Sequence, residues 1–363
     1  MATLDDESLL NLLRAIADLA PGPLYPARFA QERSVERNLL DDGLDELRRR
    51  GLVTFTEWVK DLGQGYVLTD AGKHALASRK LTRAAAAMPA PPIMADASSY
   101  QRGEIVRRAI FDHHPGYVTR VLLIANLVYF GVGAAYASYK GILLADYLTG
   151  ESAGTHAVLD ALGGLWPFRL VQDQFLPGAR PEYERILLSF FLHIGVLHLG
   201  MNMYFLVAMG RQIEAMWGWA RFLTIYFVAG IVSGCAVLLI DGVRDVHPLQ
   251  SGMTAGASGC LFGIFAAMVV WFSLNYEHLP PRLVQDWSRN TMFNAVLLIA
   301  INFVPGVSWQ GHFGGAVGGL LAALLLQIQR FHSSRAVRCL ALAGVAAVPV
   351  VFFLAVLWQE GRF

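Results

Sequence analysis

The sequence predicts an all-α polytopic membrane protein with a small α+β soluble domain at its amino-terminal end. Of its 363 residues, 55% are hydrophobic and 16% are charged. An ordinary soluble domain is about 25% charged, so most of this chain is expected to lie in lipid. From about residue 117 onward, long apolar runs alternate with short polar breaks. Residues 1–83 show no such runs and are expected to fold in water.

The soluble domain is assigned to residues 1–83. The stretch "LLNLLRAIADL" has apolar residues at helical spacing, and "GLDELRRRGLVTF" leads from a helix into a β-rich segment. A polar turn at "DLGQG" separates that strand from "YVLTDAGKHAL". The predicted order of helix, helix, strand, turn and strand resembles a winged-helix domain.

The charge balance of this domain argues against nucleic acid as its partner. Residues 1–83 contain 12 Lys and Arg and 13 Asp and Glu, whereas a DNA-binding domain usually has a basic face. A cytoplasmic protein partner is therefore favoured over DNA. Residues 84–116, which include "AAAAMPAPP", are predicted to be a linker.

The membrane domain is assigned to residues 117–358 and is predicted to contain seven transmembrane helices. A membrane helix needs about 20 apolar residues, and the fifth run is shorter than that. The predicted spans are 117–138, 186–209, 219–240, 257–276, 291–305, 310–328 and 337–358.

Arginine residues near the ends of the spans predict the orientation. The connections between successive spans lie alternately on the two sides of the membrane. The arginines lie beside the connections of one side, and that side is expected to be cytoplasmic. The soluble domain is then cytoplasmic, and the carboxyl terminus and the connection 141–184 lie on the opposite side, with the plasma (inner) membrane as the expected location. The arginines used are Arg102, Arg107, Arg108, Arg120, Arg211, Arg221, Arg282, Arg289, Arg330, Arg335 and Arg338.

Polar side chains within the spans are few, and each is costly in hydrocarbon, so each is a candidate for function. No Asp or Glu lies in the middle of any predicted span. The absence of these carboxylates argues against an ion pathway through the membrane. It also leaves no acidic member for a serine triad, so a nucleophilic mechanism would have to use a Ser–His dyad. The polar residues are His193, His198, Asn202, Ser258, Asn294, Asn302, Gln310 and His312.

Ser258 and His312 are predicted to form that dyad. Both stand at the start of spans that begin on the same side of the membrane, so they are expected at similar depth. The imidazole would accept the serine proton and activate the hydroxyl as a nucleophile. Glycines at small-xxx-small spacing would let the two helices approach closely: Gly259 and Gly263 on one, Gly311, Gly315 and Gly319 on the other.

A second group of polar residues is suited to stabilising an oxyanion. His198 and Asn202 are spaced i, i+4 in "HLGMN" and so share a helix face. The backbone N–H of Ser258 would be a third donor. His193, five residues before His198, is expected to support the first connection, and its spacing does not match the His-Glu-x-x-His motif of zinc proteases.

These motifs resemble those of the rhomboid intramembrane serine proteases over residues 117–358. The family's Gly-x-Ser-Gly motif stands as "GASG" at 256–259, its His-x-x-x-Asn motif as "HLGMN" at 198–202, and its sixth-span histidine motif as "GHFGG" at 311–315. Two positions depart from the family pattern. Gly311 replaces the usual alanine, and Glu184 stands where an aromatic residue usually precedes the matching Arg185.

The resemblance implies a rhomboid-like bundle and an intramembrane serine endopeptidase that cleaves transmembrane segments without a metal or cofactor. It implies Ser258 as nucleophile, His312 as general base and acid, and His198, Asn202 and the Ser258 amide as the oxyanion hole. Phe262 matches an aromatic residue that packs on the base. The supporting glycines are Gly256, Gly259, Gly315 and Gly319. The alternative is a catalytically silent rhomboid-like protein that binds transmembrane helices.

Overall fold

The computed structural model contains two compact units. One comprises residues 1–113 together with 331–334, and the other comprises residues 114–330 together with 335–363. The structure describes residues 5–59, 62–81, 102–103, 105–106, 109–110, 114–174, 176–241, 252–279 and 281–362. Most of the linker predicted at 84–116 lies outside these described residues.

The amino-terminal unit combines helices with a two-stranded antiparallel sheet. Two of its helices were not predicted, at 26–33 and 70–78. The first of these has Pro26 as its single buried residue, so no apolar period marks it in the sequence. The elements in chain order are α1 (Asp6–Asp18), α2 (Pro26–Arg33), α3 (Arg37–Arg49), β1 (Val53–Val59), β2 (Gly63–Leu68) and α4 (Asp70–Ser78).

A leucine-rich core holds this unit together. Leu9, Leu13 and Ile16 lie on one face of α1 and are buried, as their helical spacing predicts. The Asp5 side chain accepts a hydrogen bond from the Ser8 N–H at 2.9 Å and so caps the start of α1. Leu24 pairs with Tyr66 of β2 in an isolated antiparallel bridge. The winged-helix resemblance of the unit stays a prediction.

The second unit is built mainly from long apolar helices. Its α-helices in chain order are α5 (Tyr117–Tyr139), α6 (Leu144–Thr149), α7 (Ala153–Ala161), α8 (Pro167–Val171), α9 (Arg185–Leu188), α10 (Gly195–Trp217), α11 (Trp219–Asp241), α12 (Ser258–Asn275), α13 (Pro281–Ala300), α14 (Trp309–Phe331) and α15 (Arg335–Gln359).

Five helices in the described residues are long and apolar enough to cross a membrane, namely α5, α11, α12 extended to His278, α14 and α15. A sixth crossing results if the bent pair Arg185–Phe191 and Gly195–Trp217 is one span. The protein is therefore a multi-pass integral membrane protein.

The second predicted span, 186–209, is not continuous. Its two helical pieces meet at an angle of 87°, and the second extends to Trp217. Gly195, which starts α10, has a φ of +77°. A side chain there would also collide with the backbone of Leu148 and Thr149. The bend thus depends on a glycine conformation and on a contact with the end of α6, and neither changes the apolar periodicity of the sequence.

The fifth predicted span, 291–305, also differs from the structure. Helix α13 begins ten residues earlier, at Pro281, and ends at Ala300, where a 3-10 turn (Ile301–Phe303) follows. Its first half, "PRLVQDWSRN", is polar, so α13 is not among the candidate spans. In the described residues, five of the seven predicted spans, or six with the bent pair, are long and apolar enough to cross a membrane, and 291–305 is not among them.

A buried carboxylate caps the first membrane helix. Glu214 lies in the last turn of α10, beyond the predicted span, and is 7% exposed. Its carboxylate accepts hydrogen bonds from the backbone N–H of Val118 at 3.0 Å and of Thr119 at 2.9 Å. The Thr119 hydroxyl donates a third at 2.8 Å. The negative charge faces the amino terminus of α5, where the helix dipole stabilises it.

Arg185 organises the connection between α5 and α10. Its guanidinium donates to the carbonyl oxygens of Asp160 at 2.9 Å and Gly164 at 2.8 Å, and to the Glu182 carboxylate at 2.6 Å. Glu184, at the usual aromatic position, instead forms a surface ion pair with Arg180. The loss of the aromatic residue therefore leaves the buried arginine network in place.

Residues 360–362 dock on the same connection. The Arg362 guanidinium donates to both oxygens of the Asp173 carboxylate at 2.6 Å and to Glu360 at 3.2 Å. The Tyr183 hydroxyl donates to Glu360 at 2.7 Å. Hydrogen bonding by the guanidinium holds the pKa of Asp173 below its usual value, and burial raises the pKa of Glu360. The end of α15 and the connection therefore lie at the same end of the bundle.

Glycines place α12 and α14 in direct backbone contact. A Cβ on Gly315 would overlap the backbone of Gly259, and one on Gly319 would overlap the backbone of Gly263. Helix α11 packs on the same seam, because a Cβ on Gly263 would also overlap the Ala229 side chain. The small-xxx-small spacing therefore corresponds to a real close approach of two helices.

We predict that Gly315→Ala or Gly319→Ala destabilises the membrane domain. Alanine improves helix propensity by about 1 kcal/mol, but the new methyl group meets backbone, and overpacking of this kind costs about 1–3 kcal/mol. Thermal unfolding of the purified protein in detergent measures the result. Gly131→Ala on α5 is the matched control, since nothing lies within 4 Å of its Cβ position. Equal unfolding temperatures for Gly315→Ala and Gly131→Ala would contradict the steric argument.

We predict a pH-dependent contribution of Asp173 to stability. A carboxyl group with a lowered pKa in the folded state stabilises above its unfolded pKa of about 3.9, and this stabilisation is lost as pH falls through the folded pKa. Asp173→Asn should lower the unfolding temperature at pH 7, and its difference from wild type should narrow below about pH 4. Asp286→Asn is the control, because that side chain is 76% exposed and 4.0 Å from Arg289. A difference that stays constant with pH would refute the prediction.

Candidate active site

Ser258 is the first residue of α12, and the loop before it is anchored on both sides. The Gly256 N–H donates to the Ser189 carbonyl oxygen at 2.9 Å. The Ala257 N–H donates to Nε2 of His193 at 3.4 Å, and the His193 side chain is fully buried. His193 therefore contacts the loop before Ser258, and its expected support of the first connection stays a prediction. The N–H of Ser258 precedes the intrahelical hydrogen bonds and points from the positive end of the helix.

Ser258 and His312 are in hydrogen-bond contact. The distance between Ser258 Oγ and His312 Nε2 is 2.8 Å. His312 lies in the first turn of α14 and is 5% exposed, while Ser258 is partly buried. The contact between Gly259 and Gly315 brings the two helix starts together. The sequence predicted this pair, and its separation fits a nucleophile and its base.

Two further side chains hold the His312 ring. The Phe262 ring stacks on it with a centroid distance of 4.1 Å and an interplanar angle of 12°. The other imidazole nitrogen, Nδ1, lies 2.7 Å from Oδ1 of Asn302. Asn302 belongs to the 3-10 turn after α13. Asn302 is one of the polar residues of the predicted spans, but the sequence predicts no role for it, because nothing in the spacing of Asn302 and His312 indicates a contact.

His198 faces the loop that precedes Ser258. The Ile194 N–H donates to Nδ1 of His198 at 3.4 Å, so the ring proton is on Nε2. A Cβ on Gly256 would lie 2.9 Å from that Nε2 and 2.7 Å from Cε1. Gly256 also has a φ of +130°. Both facts require glycine at this position, and the Nε2–H is therefore close to the start of α12.

Asn202 lies one turn after His198 on α10 and is 5% exposed. One hydrogen of its Nδ2 group is donated to the His198 carbonyl oxygen at 2.9 Å. The group carries a second hydrogen that this bond does not use. His198 and Asn202 thus have one donor each available on the face of α10 that carries them both.

Gln310 and Asp241 form a separate polar contact. Gln310 Nε2 donates to Asp241 Oδ1 at 2.6 Å, which links the start of α14 to the end of α11. Gln310 thus joins two helix ends through a hydrogen bond that does not involve Ser258 or His312. Across the described residues, no group of three or more His, Cys, Asp or Glu side chains is arranged to hold a metal ion.

The part of the chain that contains these features is similar to known proteins. The family described as "Rhomboid domain" matches residues 180–329, which contain each of the site residues named above. The chain is 34% identical over 157 residues to "Rhomboid protease GluP" of Bacillus subtilis (strain 168), covering 42% of this chain and 28% of that protein. It is 28% identical over 180 residues to "RHOMBOID-like protein 6, mitochondrial" of Arabidopsis thaliana, covering 50% and 52%.

A third relative is named as an inactive protein. The chain is 27% identical over 205 residues to "Inactive rhomboid protein 2" of Homo sapiens, covering 55% of this chain and 22% of that protein. The matches therefore span between about a fifth and about half of these relatives' lengths, and the relatives include a protease and an inactive protein. The chain is an integral membrane protein that carries a rhomboid domain at residues 180–329.

Proposed function

We propose that the protein is an intramembrane serine endopeptidase that cleaves transmembrane segments of other membrane proteins. The observation that carries the proposal is the 2.8 Å contact between Ser258 Oγ and His312 Nε2 at the starts of two membrane helices. In hydrocarbon a hydroxyl and an imidazole are costly, and a pair arranged as nucleophile and base has a chemical use.

Ser258 and His312 carry the two proton transfers of the proposed reaction. His312 Nε2 accepts the hydroxyl proton while Ser258 Oγ forms a bond to the scissile carbonyl carbon. The same nitrogen then gives the proton to the leaving amine, the C–N bond breaks, and an acyl-enzyme ester remains. His312 next takes a proton from water while the water oxygen attacks the ester carbon. The bond from that carbon to Ser258 Oγ then breaks, His312 returns the proton to Oγ, and the second product leaves as a carboxylic acid. No other reactant is needed.

The negative charge of the tetrahedral intermediate needs hydrogen-bond donors. The Ser258 N–H at the start of α12, the His198 Nε2–H and the remaining Asn202 Nδ2–H are the proposed donors. The short distance from the His198 ring to Gly256 supports this role, since Gly256 stands two residues before the nucleophile. One well-placed donor of this kind contributes about 3–4 kcal/mol to the transition state.

Rhomboid-family membrane proteins interact with transmembrane segments in the bilayer, and the proposed substrates are of that kind. The proposed orientation places the amino-terminal unit in the cytoplasm, and the connection 141–184 and the carboxyl terminus on the opposite side of a plasma (inner) membrane. The arginine distribution supports it. A cytoplasmic protein is the proposed partner of the amino-terminal unit.

The rival function is a catalytically silent protein that binds transmembrane helices. Its support is the similarity to a relative named as inactive. The presence of both Ser258 and His312 favours the enzyme, because a silent binder needs neither a nucleophile nor a base.

We predict that a fluorophosphonate probe labels the wild-type protein and does not label Ser258→Ala. The probe reacts with a serine oxygen that a neighbouring base has activated. Ser233→Ala is the matched control, because its hydroxyl lies in the same helix seam, against Gly259 and Gly311. In-gel fluorescence of purified protein is the measurement. Labelling of Ser258→Ala at the wild-type level would reject Ser258 as the nucleophile. If neither the wild type nor any variant is labelled, the silent binder is favoured.

We predict that His198→Ala and Asn202→Ala each lower kcat for a membrane-spanning reporter by about 10²–10³-fold, because each removes one oxyanion donor. The unfolding temperature should change far less than the rate, which separates this effect from misfolding. His156→Ala, an exposed histidine on α7, is the control. Wild-type kcat in both His198→Ala and Asn202→Ala would remove these residues from the oxyanion site.

A further inference from the structure

The contact between Asn302 and His312 has no role in the reaction described above. Oδ1 of Asn302 lies 2.7 Å from Nδ1 of His312, on the opposite edge of the ring from Ser258. We infer that Asn302 is a positioning residue that fixes the protonation pattern of the His312 ring. The inference deepens the proposed protease function and rests on it for its catalytic meaning.

The direction of the Asn302 carboxamide follows from its second set of bonds. Nδ2 donates to the Leu298 carbonyl oxygen at 2.7 Å and lies 3.3 Å from the Ile299 carbonyl oxygen. A carboxamide nitrogen only donates, so these carbonyls hold it against the end of α13. Oδ1 is thereby turned toward the imidazole, and it only accepts.

An acceptor at Nδ1 decides where the ring proton sits. With Asn302 Oδ1 at 2.7 Å, Nδ1 carries the hydrogen, and Nε2 presents its lone pair to the Ser258 hydroxyl. The opposite tautomer would place an N–H toward Ser258, and such a ring cannot take the serine proton. Asn302 therefore selects the form of His312 that acts as a base.

Phe262 does not supply this selection. Its ring lies nearly parallel to the imidazole, at 12° and 4.1 Å between centroids. A stacked ring restrains the plane of the imidazole, but it contacts the face and does not distinguish one nitrogen from the other. Orientation in the plane and the site of protonation need a hydrogen bond at the ring edge, and Asn302 provides it.

The bond also connects the base to the end of α13. Asn302 lies in the turn Ile301–Phe303, and the bond reaches the first turn of α14. The Asn302–His312 bond therefore joins the turn after α13 to the start of α14.

The kinetic test compares Asn302→Leu, Asn302→Asp and Phe303→Leu with wild type. Asn302→Leu removes the acceptor and should lower kcat by about 10–100-fold with KM changed less than about twofold, as for a residue that orients another. Asn302→Asp keeps an oxygen acceptor and should recover kcat to within about tenfold of wild type. Phe303→Leu controls for disturbance of the turn, since Phe303 is 81% exposed and should keep wild-type kcat.

A spectroscopic test reads the tautomer without using activity. In protein labelled with nitrogen-15 histidine, the His312 signals, identified by their loss in His312→Gln, should show Nδ1 protonated and Nε2 unprotonated. Asn302→Leu should shift the pair toward Nε2 protonation, and Asn302→Asp should not.

The outcomes separate this inference from the proposed function. Wild-type kcat and an unchanged tautomer in Asn302→Leu would overturn the positioning role, and so would an equal loss of kcat in Asn302→Leu, Asn302→Asp and Phe303→Leu. If the tautomer shifts in Asn302→Leu but probe labelling is independent of Ser258, the positioning of His312 stands and the protease proposal falls.

Discussion

The backbone contact between α12 and α14 is the constraint on which the rest of the membrane domain depends. Gly315 lies against the backbone of Gly259, and at this separation no side chain fits between the helices. The same contact brings Ser258 and His312, 54 positions apart in the chain, to 2.8 Å. Packing and the candidate chemistry therefore have a single origin, because the glycines that allow close packing also align the starts of the two helices.

Several buried polar groups in this unit form hydrogen bonds that join separate segments. Glu214 accepts three hydrogen bonds at the start of α5, and Arg185 donates to carbonyl and carboxylate oxygens of the first connection. In the candidate site, Asn302 contacts Nδ1 of His312 and Ser258 contacts Nε2. Hydrocarbon offers no water to such groups, so each bond that organises the site also stabilises the fold.

Much of the candidate site was predictable, because its signals are local in sequence. The i, i+4 spacing of His198 and Asn202 puts them on one helix face wherever that helix lies. The bend before α10 and the early start of α13 were not predictable. The first depends on Gly195 lying against the backbone of Leu148 and Thr149, and the second extends the helix into polar sequence that hydropathy does not mark.

The sequence by itself determined the class of the protein, the approximate spans and the residue types available for chemistry, since composition and periodicity follow from burial in lipid. Only the tertiary structure decided which polar groups meet. It set Asn302 against Nδ1 of His312 and turned the His198 ring toward Gly256. The physical reason is that a hydrogen bond forms only when its donor and acceptor are placed to within a few tenths of an ångström. Packing between segments that are distant in the sequence sets those positions.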